Sequence, residues 1–109
     1  MVDRMQTRDD GRDRLHQRVQ YWSQRLKAEA RIIRVQSMTQ KWGSCSTAGT
    51  ITLAEDLAEQ DVGFQDFVIV HELLRLRVPT HGRLFKALMT AHVPAWRQFE
   101  IERRWRRRA

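Results

Sequence analysis

Phe64-Gln65-Asp66-Phe67-Val68-Ile69-Val70-His71-Glu72-Leu73-Leu74-Arg75-Leu76-Arg77 is the most apolar stretch of the chain, and it carries a histidine and a glutamate side by side at its centre. The run is too long for an ordinary strand. Drawn as a helix, it places Phe64, Phe67, Val68, Ile69, Val70, Leu73, Leu74 and Leu76 on nearly every side, and such a helix is buried. Pro79 stops it, because proline lacks an N–H and pushes Val78 out of helical geometry. The rest of the chain has to wrap this helix.

Upstream, Leu15, Val19, Trp22 and Leu26 recur at helical spacing between arginines and glutamines. This predicts an amphipathic helix over roughly residues 12–30. Residues 1–11 are polar, end in Asp9-Asp10-Gly11, and read as a flexible lead-in to a single domain spanning 12–109. Ile32, Ile33 and Val35 favour a strand over 31–38. Ala48-Gly49 reads as a turn and Thr50-Ile51-Thr52-Leu53 as a second strand, the pair forming a hairpin in which Gly43 supplies a bulge. Ala54 to Gln60 suits a short helix. Downstream, Thr80 is placed to cap a helix with Leu84, Phe85, Leu88 and Met89 on one face. Pro94 suits the start of a last helix with Trp96, Phe99 and Trp105. The expected class is α+β: a short β-hairpin or sheet packed on a buried helix with flanking helices.

The chain has 109 residues, a net charge of +7 and one cysteine, Cys45. That length suits one domain. No stretch approaches the ~20 apolar residues that span a bilayer, and the polar N-terminus lacks the apolar run of a signal peptide. With no possible internal disulfide, a cytoplasmic protein without membrane contact is expected. Charge is uneven: +4 over residues 1–34, −4 over 35–70 and +7 over 71–109. Basic ends permit weak contact with nucleic acid or another polyanion, and equally suit a solvated surface. Arg103-Arg104-Trp105-Arg106-Arg107-Arg108 mixes cations with an aromatic, as single-strand binders do. The same residues also suit a solvated helix end, where cations complement the dipole.

His71 and Glu72 at the centre of a buried helix need partners or a purpose. A lone histidine there is often a hydrogen-bonded core residue; an adjacent carboxylate shifts the balance towards a site. The pattern approaches H-E-x-x-H, in which two histidines one turn apart grip a zinc ion and the glutamate is the general base. Position 75 is arginine instead. Arginine stays protonated and has no lone pair for a metal. His81 follows ten residues after His71, beyond the Pro79 turn. His92 lies about 16 Å further along the next helix axis, out of reach of the same ion, and reads as a surface or capping residue.

On these motifs the chain resembles the YgjP-like metallopeptidases, relatives of the SprT-like and WLM zincins, most strongly over residues 40–99. Lys41-Trp42-Gly43-Ser44-Cys45-Ser46 is similar to the family's R/K-W-G-S-C-S signature, and Thr50-Ile51-Thr52-Leu53 to the strand that follows it. Phe67 to Leu74 is similar to the helix ending in H-E-L-x-H-L, and Pro79 to Phe85 to the N-H-S-x-x-F segment. The resemblance implies a minimal zincin-like fold and zinc as cofactor. His71 and His81 would be ligands and Glu72 the general base, with Arg75 at the missing ligand's position. It also implies a substrate cleft bordered by Trp42, Gly43, Ser44, Cys45 and Ser46, holding an extended peptide by main-chain hydrogen bonds. Within that cleft Trp42 reads as a packing residue, and Cys45 as a small buried side chain rather than a nucleophile.

Arg75 makes impaired or absent zinc binding and catalysis the expected outcome. Three residues from Glu72, it can pair with that carboxylate and hold it ionised, or point past the site. Two functions follow: a zinc-dependent peptidase acting on peptide or protein, or a non-catalytic binding module whose basic termini contact nucleic acid or a protein partner.

Overall fold

The computed structural model describes residues 4–108, with side chains described from 10 to 104. Four helices surround a small sheet: α1 (Arg4–Leu26), β1 (Ile32–Gln36), β2 (Gly43–Cys45), β3 (Thr50–Ala54), a 3-10 turn (Glu55–Glu59), α2 (Val62–Arg77), α3 (Arg83–His92) and α4 (Trp96–Arg108). This is the expected α+β class, with α2 at the centre. Residues from Phe64 to Leu74 of α2 are buried except Asp66, which is half-buried. No helix among the described residues is long and apolar enough to cross a membrane.

Helix α1 lays Leu15, Val19, Trp22 and Leu26 into the core, as their spacing requires. It begins at Arg4, so most of the expected lead-in is helical, and it ends at Leu26 rather than 30. Gly11 misled the reading because glycine usually marks a break. Here it is a helical contact: a Cβ at Gly11 would lie 3.1 Å from the Ala58 Cβ. Lys27 turns the chain with a positive φ of 51°. Three arginines fasten α1 to its surroundings. Arg12 donates to the Val35 carbonyl and to Glu55, and Arg18 grips Asp66 with two bonds. Arg77 donates from the end of α2 to the Leu26 carbonyl at the C-terminus of α1.

The sheet order is β1-β3-β2, with β1 parallel and β2 antiparallel to β3. The expected hairpin between the 31–38 and 50–53 strands is therefore corrected: the short β2 is the hairpin partner, and β1 pairs on the other side. Ser46 closes the hairpin. Its N–H donates to the Thr50 carbonyl, its Oγ accepts from the Thr50 N–H, and Gly49 turns at φ 94°. A two-residue alternation cannot show whether neighbours run parallel or antiparallel, which is why the topology escaped the sequence.

Gly43 makes no bulge, since β2 runs in unbroken register from Gly43 opposite Leu53 to Cys45 opposite Ile51. Its role is close approach to α2. A Cβ there would lie 3.0 Å from Val68 Cγ1, 3.3 Å from Glu72 Cγ and 3.3 Å from Leu53 Cδ2. Thr80 does not cap α3; Gly82 holds that position and no side chain caps it. Of the expected α3 face, Phe85 and Met89 are buried, Leu88 is half-buried and Leu84 is exposed.

Replacing Gly43 by alanine forces a methyl into this contact. The expected cost is about 1–3 kcal/mol of stability, the usual range for an overpacked core site. Urea unfolding against the native chain measures it; equal midpoints would refute the close-approach role.

Candidate active-site cleft

The turn at Pro79 folds α3 back so that His81 meets His71, their ring centroids 5.1 Å apart. Phe85 sets both rings: His71 lies 5.3 Å and His81 4.6 Å from it, each edge to face. Together they sit at the base of an open cleft of about 450 Å³. One wall is the segment from Gln40 to Cys45, the floor is Val68, His71, Glu72 and Arg75 of α2, and the far wall is Glu100, Arg103 and Arg104 of α4. The sequence thus placed His71, Glu72, Arg75, His81 and residues 42–45 in one site. Ser46 does not line the cleft; it is the hairpin residue described above.

His71 and Glu72 are almost wholly buried. His71 Nδ1 lies 3.2 Å from Glu72 Oε2, and its Nε2 lies 3.2 Å from Arg103 Nη1. A guanidinium cannot accept a hydrogen bond, so Nε2 accepts and the imidazole proton sits on Nδ1, donated to Glu72. Arg103 Nη2 in turn donates to Glu100 at 2.7 Å. The result is a chain of four groups, Glu72–His71–Arg103–Glu100, that ties α4 to α2. Glu72 Oε1 is buried without a hydrogen-bond partner.

Of the two readings of Arg75, the ion pair with Glu72 does not form: Glu72 pairs with His71, and Arg75 is exposed at the cleft floor. Trp42 packs edge to face on Phe64 at 5.4 Å, in keeping with a packing role. The half-buried Cys45 has its thiol pKa pushed up by burial first and by Glu72 second, with Arg75 opposing. That holds the sulfur protonated and argues against a nucleophile. His92 lies edge-on to Trp22 at 6.0 Å, outside the site.

Sequence reasoning missed Glu100, and read Arg103 as part of a basic tract rather than a site residue. The signal was present in the helical spacing of α4. Phe99 packs against Phe64 and Phe67, and Arg103, one turn later, follows it onto the same face. Arg104 lines the cleft too. The side chains of Trp105, Arg106, Arg107 and Arg108 lie outside the described residues, so the rest of that proposed nucleic-acid tract has no structural account.

A catalytic zinc site takes three protein donors. Among the described residues, no group of three or more His, Cys, Asp or Glu side chains is arranged to hold a metal ion. His71 and His81 are adjacent, but Arg75, in place of the second histidine of H-E-x-x-H, offers no lone pair, and Arg103 donates to His71 Nε2. This donor set does not fit zinc.

A small sheet beside a central H-E helix, with a histidine returned to it by the turn that follows, is the arrangement of a metallopeptidase-type domain. The crystal structure of the metallopeptidase zymogen of Methanocaldococcus jannaschii jannalysin is similar, with a TM-score of 0.70 and 22% identity over 81% of this chain and 91% of that one. That of the Pyrococcus abyssi abylysin zymogen is similar at a TM-score of 0.62 and 19% identity, over 70% of this chain and 76% of that one. No curated protein matches the sequence. The model of the YgjP-like metallopeptidase domain matches residues 4–104, and the chain belongs to that family. The match extends well beyond the motif-bearing stretch, taking in α1 and much of α4.

His81 has its pKa lowered from 6.5 by burial first, then by His71, Arg75 and Arg103, against Glu100. The folded state therefore disfavours the charged ring. Its contribution to stability is intact above the unfolded value and is lost as pH falls below 6.5. An NMR titration of the histidine ring protons should place the His81 midpoint below that of the unfolded chain, and Arg75→Gln should raise it. A midpoint at or above the unfolded value would contradict the electrostatics of the cleft.

Proposed function

We propose that this chain is a member of the metallopeptidase family that does not carry a catalytic zinc ion, and that its cleft holds an extended peptide without cutting it. The observation that carries this reading is the bond from Arg103 to His71 Nε2, with Arg75 in place of the second histidine of H-E-x-x-H. Arg75 offers no lone pair where the family motif has a histidine, and Arg103 engages the lone pair of His71 Nε2. Glu72, the residue in the general-base position, spends one oxygen on His71 instead of a metal-activated water.

Peptide binding has its support in β2. This strand is at the edge of the sheet, on the cleft side. Ser46 N–H donates to Thr50 and Ala54 N–H donates to the Trp42 carbonyl, so residues 42, 44 and 46 turn their backbone towards β3. By alternation, Gly43 and Cys45 turn theirs outward, where a further strand can pair with them. Gly43 and Cys45 would bind the ligand main chain, and Trp42 would hold the wall in place through Phe64.

Elemental analysis of the purified, dialysed chain tests the metal half of this reading. The native chain should hold far less than one equivalent of zinc, and show no peptidase activity when zinc is added. An Arg75→His variant combined with Arg103→Ala should bind about one equivalent, because the third donor is restored and His71 Nε2 is released. Stoichiometric zinc in the native chain would overturn the proposal.

A further inference from the structure

The charge of the cleft is unbalanced. Lys41, Arg75, Arg103 and Arg104 line it against two carboxylates, Glu72 and Glu100. Glu100 is matched by Arg103, and Glu72 is turned to His71. Among the described residues, Lys41, Arg75 and Arg104 have no ion-pair partner. Lys41 leads directly into the edge strand, Arg75 rises from the floor, and Arg104 stands on the far wall. Three uncommitted cations thus converge on a groove whose side is a free strand edge.

From this arrangement we infer that the cleft selects acidic peptides. An extended segment pairs with the outer edge of β2 and presents a glutamate or aspartate side chain to Arg75, with Lys41 and Arg104 flanking. The inference rests on the peptide-binding reading above and adds its specificity. Arg75 is the specifying residue. Its planar fork matches a carboxylate with two parallel bonds, which neither a histidine nor a lysine at that place can offer. The backbone of α2 holds it in position: Val70 to Leu74 are buried, so the helix cannot rotate to withdraw it.

A peptide suits this site better than a nucleic acid. Main-chain N–H and C=O groups at Gly43 and Cys45 match another peptide backbone. A run of phosphates has no such edge pairing to offer, whereas a strand that carries a single carboxylate makes both contacts. Arg75 also changes meaning: beyond displacing a metal ligand, it converts the same position from holding a cation to holding an anion.

The test uses the full chain, isotope-labelled, and a seven-residue peptide of alternating threonine and valine around a central glutamate. The peptide is acetylated and amidated so that its ends carry no charge. Its glutamine and lysine counterparts are titrated in parallel at low salt, following the Gly43 and Cys45 amides by NMR. The glutamate peptide should bind roughly tenfold or more tighter than the glutamine peptide, and the lysine peptide more weakly still. Arg75→Gln, at an exposed position, should erase the glutamate advantage. Arg75→Lys should restore only part of it. Equal binding of all three peptides, with both amides shifting, would overturn the acidic preference and keep the groove. No amide shift with any peptide would overturn the groove as well. A single-stranded oligonucleotide that moves the same amides and outcompetes the glutamate peptide would assign the cations to phosphate instead.

Discussion

Burying an imidazole and a carboxylate next to each other on a helix that is apolar nearly all round is the constraint on which this molecule turns. A charged group in such a place is costly unless other groups compensate it. The chain meets the requirement with side chains drawn from α4. Arg103 reaches His71, Glu100 steadies Arg103, and His71 Nδ1–H donates a hydrogen bond to Glu72. The cation beside His71 is the Arg103 guanidinium, and it arrives with its own counter-ion, Glu100.

Compensation by α4 also explains why that helix packs where it does. Phe99 inserts between Phe64, Phe67 and Gly63, and a Cβ on Gly63 would lie 3.1 Å from the Phe99 ring. The apolar contact brings Arg103 within reach one turn later. On the opposite side of α2, Gly43 performs the same service for β2 by leaving out a side chain. The cleft lies between the segment that leads into β2 and the face of α4 that these contacts hold against α2.

Much of this was legible beforehand. The density of apolar residues around His71 and Glu72 announced a buried central helix, because no other arrangement removes so many large side chains from water. The Pro79 break implied a fold-back that returns His81 to His71. What was not legible depends on distance rather than pattern. Whether β1 runs parallel or antiparallel to β3 is decided by where the connection crosses, and the three-residue β2 is too short to leave a periodic signal. Asp9-Asp10-Gly11 looked like a frayed end because glycine at a tight helix contact and glycine at a break are identical in one dimension. The partner of His71 was hidden among arginines that all look alike until one of them is placed beside a lone pair.

The arginine at position 75 shows how local substitution and distant compensation combine. Arginine at position 75 brings a charge and no lone pair, so His71 draws its Nε2 partner from another helix. The Arg103–Glu100 pair supplies that partner, so the helix keeps its buried polar pair satisfied on the His71 side. Arg75 itself is then free of structural duty: it pairs with no carboxylate among the described residues and stands exposed on the floor of the cleft. An exposed side chain with no ion-pair partner among the described residues can be used for recognition. Here its neighbours are a lysine, a second arginine and the open edge of a strand, so the chemistry left to it is that of a carboxylate receptor.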